Sequence, residues 1–183
     1  MKKSAVLIVI AFIIIEILCG LFLLRSFLFP FKYEDLIKQN ATKYNLESYL
    51  IASVINVESS YNPKATSSAS AVGLMQILPS TASYVSSLYN INFQNQDDLF
   101  NPEINIEIGT AYLHYLLNKF EDLETALASY NAGETVVRSW LKNEDYSTNQ
   151  KTLNYIPYKE TRNYIKKINK NLKVYKRYFK NLS

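Results

Sequence analysis

Residues 4–24 read SAVLIVIAFIIIEILCGLFLL, 21 positions with a single charge at Glu16. An apolar run of about 20 residues has the length of a helix that spans a bilayer, so this stretch divides the chain at the outset. A secretory signal would carry a shorter apolar core followed by a small-x-small cleavage site, whereas here the run passes through Arg25 into SFLFPF. Cys19 follows Leu18 rather than the small residue that usually precedes a lipidated cysteine. An uncleaved signal anchor is the expected reading, with a lipoprotein as the alternative. Lys2, Lys3 and the α-amino group orient it by the positive-inside rule, although Arg25 and Lys32 weaken the contrast. The expected organisation is a cytoplasmic tip at 1–3, a transmembrane segment at 4–24, a tether at 25–32 and one globular domain at 33–183 outside the cell membrane. Glu16 would cost about 2.5–3.5 kcal/mol at mid-membrane on insertion scales. Either it meets a partner helix or the surrounding Ile, Leu and Phe outweigh it.

The remaining composition narrows the chemistry. Hydrophobic residues make up 48% of the chain, with only four glycines and five prolines, which excludes a disordered or fibrous protein. The single cysteine lies in the apolar run and the single histidine is His114, so no zinc site of His and Cys can be assembled outside. No GxSxG elbow and no glycine-rich phosphate loop is present. His114 falls on the side of INIEIGTAYLHYLL away from Ile104, Ile108, Ala111, Tyr112 and Tyr115, and is expected to face solvent. Carboxylate and tyrosine chemistry is what remains. No nucleic-acid partner is expected.

Helical periods dominate the outer part, and no alternating strand pattern runs long enough to count. Helices are expected in YEDLIKQNATKYN, in LESYLIASVINVESS up to Asn62-Pro63, and from about Pro79. Asn101 as N-cap with Pro102 at N1 starts another, and DLETALASYNAG closes at Gly133. ETVVRSWLKN follows, and the last helix carries Ile165, Ile168, Leu172, Tyr175 and Phe179 on one stripe. Residues 166–183 hold Lys and Arg with no acid. A basic amphipathic helix of this kind either touches an anionic lipid or wall polymer or presents a solvated face whose other side closes the core.

One glutamate is out of place. At about 100° per residue, Leu50, Ile51, Val54, Ile55 and Val57 share a helix face, and Glu58 falls inside that arc. An ionised carboxylate there is costly to desolvate, so the position requires a buried partner or a function. A carboxyl held among apolar neighbours has its pKa raised and remains protonated near neutral pH, as a general acid must. Glycoside cleavage uses such a proton.

The letters around Glu58 carry more. ESSYNPKATSSASAVGLMQILPSTA resembles the opening motif of the lytic transglycosylases of the soluble-type (SLT) family, ALASYNAGETVVRSW its AYNAG segment, and NYIPYKETRNYIKKI its closing IP-x-x-ETR-x-Y motif. The three blocks follow the family's order over roughly residues 33–170. The resemblance implies a mainly α, lysozyme-like single domain with little or no strand. It implies cleavage of peptidoglycan between N-acetylmuramic acid and N-acetylglucosamine, leaving 1,6-anhydro ends and calling for neither metal nor organic cofactor. Glu58 then matches the catalytic acid and Ser67 a serine that positions the substrate's N-acetyl group. Met75 and Gln76 match the groove-lining GLMQI block, Tyr130 and Asn131 the YN pair, and Glu160 the glutamate of ETR, while Arg162 is structural. The implied partners are peptidoglycan strands, the membrane through one N-terminal helix, and a possible cell-envelope machine. A muramidase on the same fold and a catalytically silent glycan-binding wall protein are the alternatives. One departure stands out: the family usually has Gly-Ala shortly before GLMQ, where this chain has Ser70-Ala71-Val72. If that position needs a positive φ, Ser70 strains the loop by ~1–2 kcal/mol.

Overall fold

Most helices beyond residue 33 start or stop where a side chain can satisfy the backbone or a residue can turn left-handed. The computed structural model describes residues 2–30, 32–120 and 122–178, without the side chains of residues 2–6, 9, 25 and 26. Two units make up the chain, Met1–Lys32 and Tyr33–Ser183. The first is formed by α1 (Lys2–Leu28), whose large apolar side chains from Leu7 to Leu28 are exposed. Among the described residues no helix is long and apolar enough to cross a membrane. The expected span at 4–24 includes Ser4, Ala5, Val6 and Val9, whose side chains lie outside the described set.

The second unit is mainly helical: α2 (Glu34–Tyr44), α3 (Ser48–Ser59), α4 (Pro79–Tyr89), a 3-10 turn (Gln96–Phe100), α5 (Pro102–Lys119), α6 (Leu123–Ala132), α7 (Glu134–Leu141) and α8 (Lys159–Tyr178). Among the described residues there is no strand, only the antiparallel bridges Thr66–Val72 and Val72–Ile77. Asn101 caps α5 as its sequence predicts, its Oδ1 accepting the Glu103 N–H at 2.9 Å. Asp122 does the same for α6 through the Thr125 N–H at 2.9 Å. Gly133, at φ 92°, ends α6 and begins α7 in one residue. The 3-10 turn has no apolar period to announce it; Asn95 and Asp98 build it with reciprocal side-chain caps. α3 stops at Ser59, ahead of Pro63, because Ser60 and Tyr61 both turn left-handed at φ 51° and 63°.

α3 packs along α8, while α5 lies against α2, α4 and α6. Ile51, Val54 and Ile55 of α3 and Ile165, Ile168 and Tyr175 of α8 are buried, which matches the two apolar faces expected from the sequence. Phe179 of the α8 stripe lies outside the described residues. His114 differs from expectation. It is half-buried between the rings of Tyr44 and Tyr89, each centroid 6.0 Å away, and is hydrogen-bonded to Asn118 at 2.8 Å. The packing of α2 on α5 brings Tyr44 over what a helical wheel reads as the outer face.

Candidate active site

The GLMQ block does not continue as helix, so its buried carbonyls need partners from elsewhere. Four successive carbonyls each receive a side chain. Asn105 Nδ2 donates to Val72 O at 2.9 Å, and Gln76 Nε2 to Gly73 O at 2.9 Å. Ser59 Oγ donates to Leu74 O, and the Tyr130 hydroxyl to Met75 O, both at 2.8 Å. Asn105 also accepts the Met75 N–H and donates to Leu99 O, each at 2.8 Å. Gly73, at φ 81°, is obligatory: a Cβ there would sit 2.2 Å from Asn105 Nδ2 and 2.3 Å from Leu99 O. The loop also contains left-handed Ser70 at φ 64° and Gln76 at φ 48°. The position usually filled by glycine in the family therefore does require a positive φ, and Ser70 carries that strain.

Beside this loop, the last turn of α3 carries Glu58 into a cavity of about 490 Å³ with Val57, Asn131, Lys159, Glu160, Asn163, Tyr164 and Lys167. The carboxyl is half-buried. Burial pushes its pKa from the ordinary 4.5 up to about 7, with a nearby Tyr164 hydroxyl acting the other way. That hydroxyl is buried and makes no well-formed hydrogen bond, so its pull on the carboxylate is weak. The negative end of the α3 dipole also disfavours an anion at this position. Tyr130 stands nearby, its own ionisation suppressed by burial and then by the Glu58 charge. A second cavity of about 170 Å³ is lined by Gln76, Leu78, Thr81, Tyr112, Tyr130 and Asn131, among others. Asn131 lines both cavities, and its Oδ1 accepts from the Thr161 hydroxyl at 2.8 Å.

Five of the seven residues singled out from the sequence thus line these two cavities: Glu58, Asn131 and Glu160 in the larger, Gln76, Tyr130 and Asn131 in the smaller. The other two do not. Met75 is fully buried, its side chain against Gly109, and only its carbonyl reaches the site, through Tyr130. The Ser67 hydroxyl accepts the Ala71 N–H at 3.0 Å and closes its own turn. Arg162 holds the Ile156 and Pro157 carbonyls at 2.5 and 2.9 Å, the structural part expected of it. Sequence reasoning missed Tyr164, Lys159, Asn163 and Lys167 on α8, and Asn105 behind the loop. Tyr164 sits beside Ile165 and Ile168 on the buried stripe, so periodicity indicates its burial without indicating that it faces Glu58. Among the described residues, no cluster of three or more His, Cys, Asp or Glu could hold a metal ion.

The transglycosylase SLT domain matches residues 35–154, and the chain belongs to that family. The soluble lytic murein transglycosylase of Escherichia coli (strain K12) is 36% identical over 143 residues, covering 76% of this chain and 22% of that protein. The membrane-bound lytic murein transglycosylase C of Histophilus somni (strain 2336) is 34% identical over 167 residues, 79% of this chain and 46% of that one. Among solved structures, an inactive mutant of the lytic transglycosylase Slt of Pseudomonas aeruginosa aligns with a TM-score of 0.75 at 28% identity, over 85% of this chain and 26% of that chain. The chain spans only 22% of the length of the first of these relatives.

Proposed function

We propose that this chain is a peptidoglycan lytic transglycosylase, cutting the β-1,4 bond between N-acetylmuramic acid and N-acetylglucosamine with one residue, Glu58, handling both proton transfers. The observation that carries the reading is a half-buried carboxyl with its pKa lifted to about 7, lining a cavity of about 490 Å³ in a chain of the SLT family. A pKa near working pH suits a group that must first give a proton and then take one. Protonated Glu58 donates to the glycosidic oxygen as the bond to the muramoyl C1 breaks. The substrate's acetamido oxygen holds the developing cation. The muramoyl C6 hydroxyl then attacks C1 and returns its proton to Glu58, which closes the anhydro ring.

Asn131, shared by both cavities, and Gln76 with Tyr130 in the smaller one suit polar contacts to successive sugars. The donor side of the Gln76 amide already bonds Ala65 O and Gly73 O at 3.2 and 2.9 Å, which leaves its oxygen the part suited to substrate. Glu160, exposed on the first turn of α8, borders the same cleft. Ser67 and Met75 contribute by shaping the loop.

The proposed location is the cell membrane, with residues 1–3 cytoplasmic, 4–24 spanning, 25–32 a tether and 33–183 facing the wall. A helix that is apolar on all sides belongs in a core or in lipid, and the apolar side chains of α1 are exposed. A relative named membrane-bound fits the same location.

One experiment tests both parts. Membranes carrying the full chain are washed at alkaline pH and incubated with purified peptidoglycan, and the released sugars are weighed by mass spectrometry. Activity should stay with the washed membranes and give fragments one water lighter than hydrolysis products, with Glu58→Gln releasing about a thousandfold less. Activity that leaves with the wash removes the anchor. Reducing ends would make the enzyme a muramidase, with Glu160, the other carboxylate lining the cavity, as the group that places water. Glycan binding without release would make the domain a silent clamp.

A further inference from the structure

One side of α8 is buried through Thr161, Tyr164, Ile165, Ile168, Asn171 and Tyr175. On the other, Lys159, Lys166, Lys167, Lys170, Lys173 and Arg177 are all exposed. At about 100° per residue, these six cations fall within one arc of about 120°, over a helix rise of about 27 Å. Among the described residues no carboxylate pairs with the five lysines. Lys176, which does pair with Glu47 at 2.6 Å, falls outside the arc. Like charges three and four residues apart weaken a helix, so folding alone gives no reason for this row.

The row begins inside the catalytic cavity. Lys159, Asn163 and Lys167, at successive fourth positions, line it together with Glu58 and Asn131. Whatever lies along the arc is therefore continuous with whatever fills the cavity. Resting on the transglycosylase reading, the geometry points to a track for the stem peptides of the substrate: the α8 lysines hold the free carboxylates of the peptides that muramoyl residues carry, and the enzyme prefers peptide-bearing strands to bare glycan. A strand without peptides offers only lactyl carboxylates held close against the sugar rings, whereas stem peptides carry their free carboxylates outward, where the row of ammonium groups runs. An anionic lipid surface would also match the charge, but it leaves the start of the row among the cavity residues without a purpose.

The test compares two substrates, peptidoglycan fragments with their stem peptides and the same strands stripped by an amidase, which keep only the lactyl carboxylate of each muramoyl residue. Full-length wild type should show the lower KM on peptide-bearing strands, a preference that shrinks with added salt as charges are screened beyond about 8 Å. The triple variant Lys166→Gln, Lys170→Gln, Lys173→Gln, whose positions lie outside the Glu58 cavity, should raise KM on peptide-bearing strands about tenfold, a few-fold per exposed contact. Its kcat should hold, so the substrate preference collapses. An unchanged KM on peptide-bearing strands overturns the track, as does an equal loss on both substrates. Weakened binding to anionic vesicles with KM intact would assign the row to lipid instead. Sedimentation of the Glu58→Gln protein, with and without the triple substitution, on intact and amidase-treated walls reads the same preference without turnover. A failure of the catalytic reading is thereby separated from a failure of the track.

Discussion

The two walls of the cleft are made on opposite principles. On one side, residues 60–78 form an irregular loop in which no buried side-chain N or O lacks a partner. Val72, Gly73, Leu74 and Met75 each lend a carbonyl to a side chain from Asn105, Gln76, Ser59 and Tyr130 in turn. On the other, α3 and α8 meet through apolar faces, with Glu58 in the seam and Tyr164 above it without a well-formed hydrogen bond. A saturated wall is rigid, because each buried donor and acceptor is fixed by a partner it would be costly to leave. An unsaturated carboxyl in a drier seam is what shifts a pKa. The cleft thus combines a wall that holds its shape with a wall whose carboxyl keeps a proton up to about pH 7, and the separation between them is open to direct disruption.

The largest expected effect is on the saturated side. Asn105→Ala leaves the Met75 N–H and the Leu99 carbonyl without their side-chain partner and removes one of two bonds from the Val72 carbonyl, which keeps the Ile77 N–H at 3.0 Å. At about 1–3 kcal/mol for each buried group left unsatisfied, tempered by water entering the gap, the fold should lose about 4 kcal/mol. Urea denaturation of the variant checks this. A loss below about 1 kcal/mol would mean that the loop is held by its own turns and that its bonds to α5 are incidental.

That Asn105 escaped notice shows what sequence patterning can and cannot reach. It lies between Ile104 and Ile106, as Glu58 lies beside Val57, and both are polar groups set among apolar ones. Glu58 stood out because it interrupts an apolar helix face and because the motif around it resembles a family. Asn105 falls about 20° beyond Tyr112 on the wheel, at the edge of the apolar arc and half a turn from His114, so periodicity points to its burial without indicating the loop it faces. Helix starts were legible from single residues, since Asn101 with Pro102, Asp122 and Pro79 satisfy or pre-shape the backbone locally. The end of α3 was not, because two consecutive left-handed residues, Ser60 and Tyr61, have no composition signal. Ser70 was legible in the reverse sense: a serine where glycine is usual flagged a positive φ that the structure contains. Tyr164 and the α8 lysines reach the cavity only through the packing of α8 on α3, a contact across about a hundred residues that local pattern does not encode.

On the unsaturated side, the next effect follows from the Glu58 proton. Its pKa is about 7 in the fold against an ordinary 4.5. A raised pKa means that Glu58 contributes its full share of stability below about pH 4.5, where it is protonated in both states, and that this share is lost as pH rises through about 7. Glu58→Gln has no charge to bury at any pH. The variant should therefore equal wild type near pH 4 and exceed it by about 3 kcal/mol near pH 8, seen as a higher urea midpoint. A mutation that removes activity while stabilising the protein only in alkali would mark the seam as strained for function. Equal stabilities at both pH values would mean that Glu58 is solvated and that the two walls do not differ in this respect.

The smallest effect sharpens the comparison at one atom. The Tyr164 hydroxyl is the one neighbour that lowers the Glu58 pKa against the upward push of burial. Tyr164→Phe removes that pull and leaves the ring in place, so the carboxyl should hold its proton to higher pH. In its proposed role as general acid Glu58 is active while protonated, and the alkaline limb of kcat/KM should accordingly move up, by less than about one pH unit for the loss of one weak contact to an anion. The fold should be unaffected within about 0.5 kcal/mol, because the hydroxyl has no well-formed bond to lose. A limb that moves down instead would mean that Tyr164 stabilises the protonated acid, as an acceptor rather than a donor. The seam would then be satisfied in the state that reacts, and the contrast with the loop would lie in which charge state each wall is built to hold.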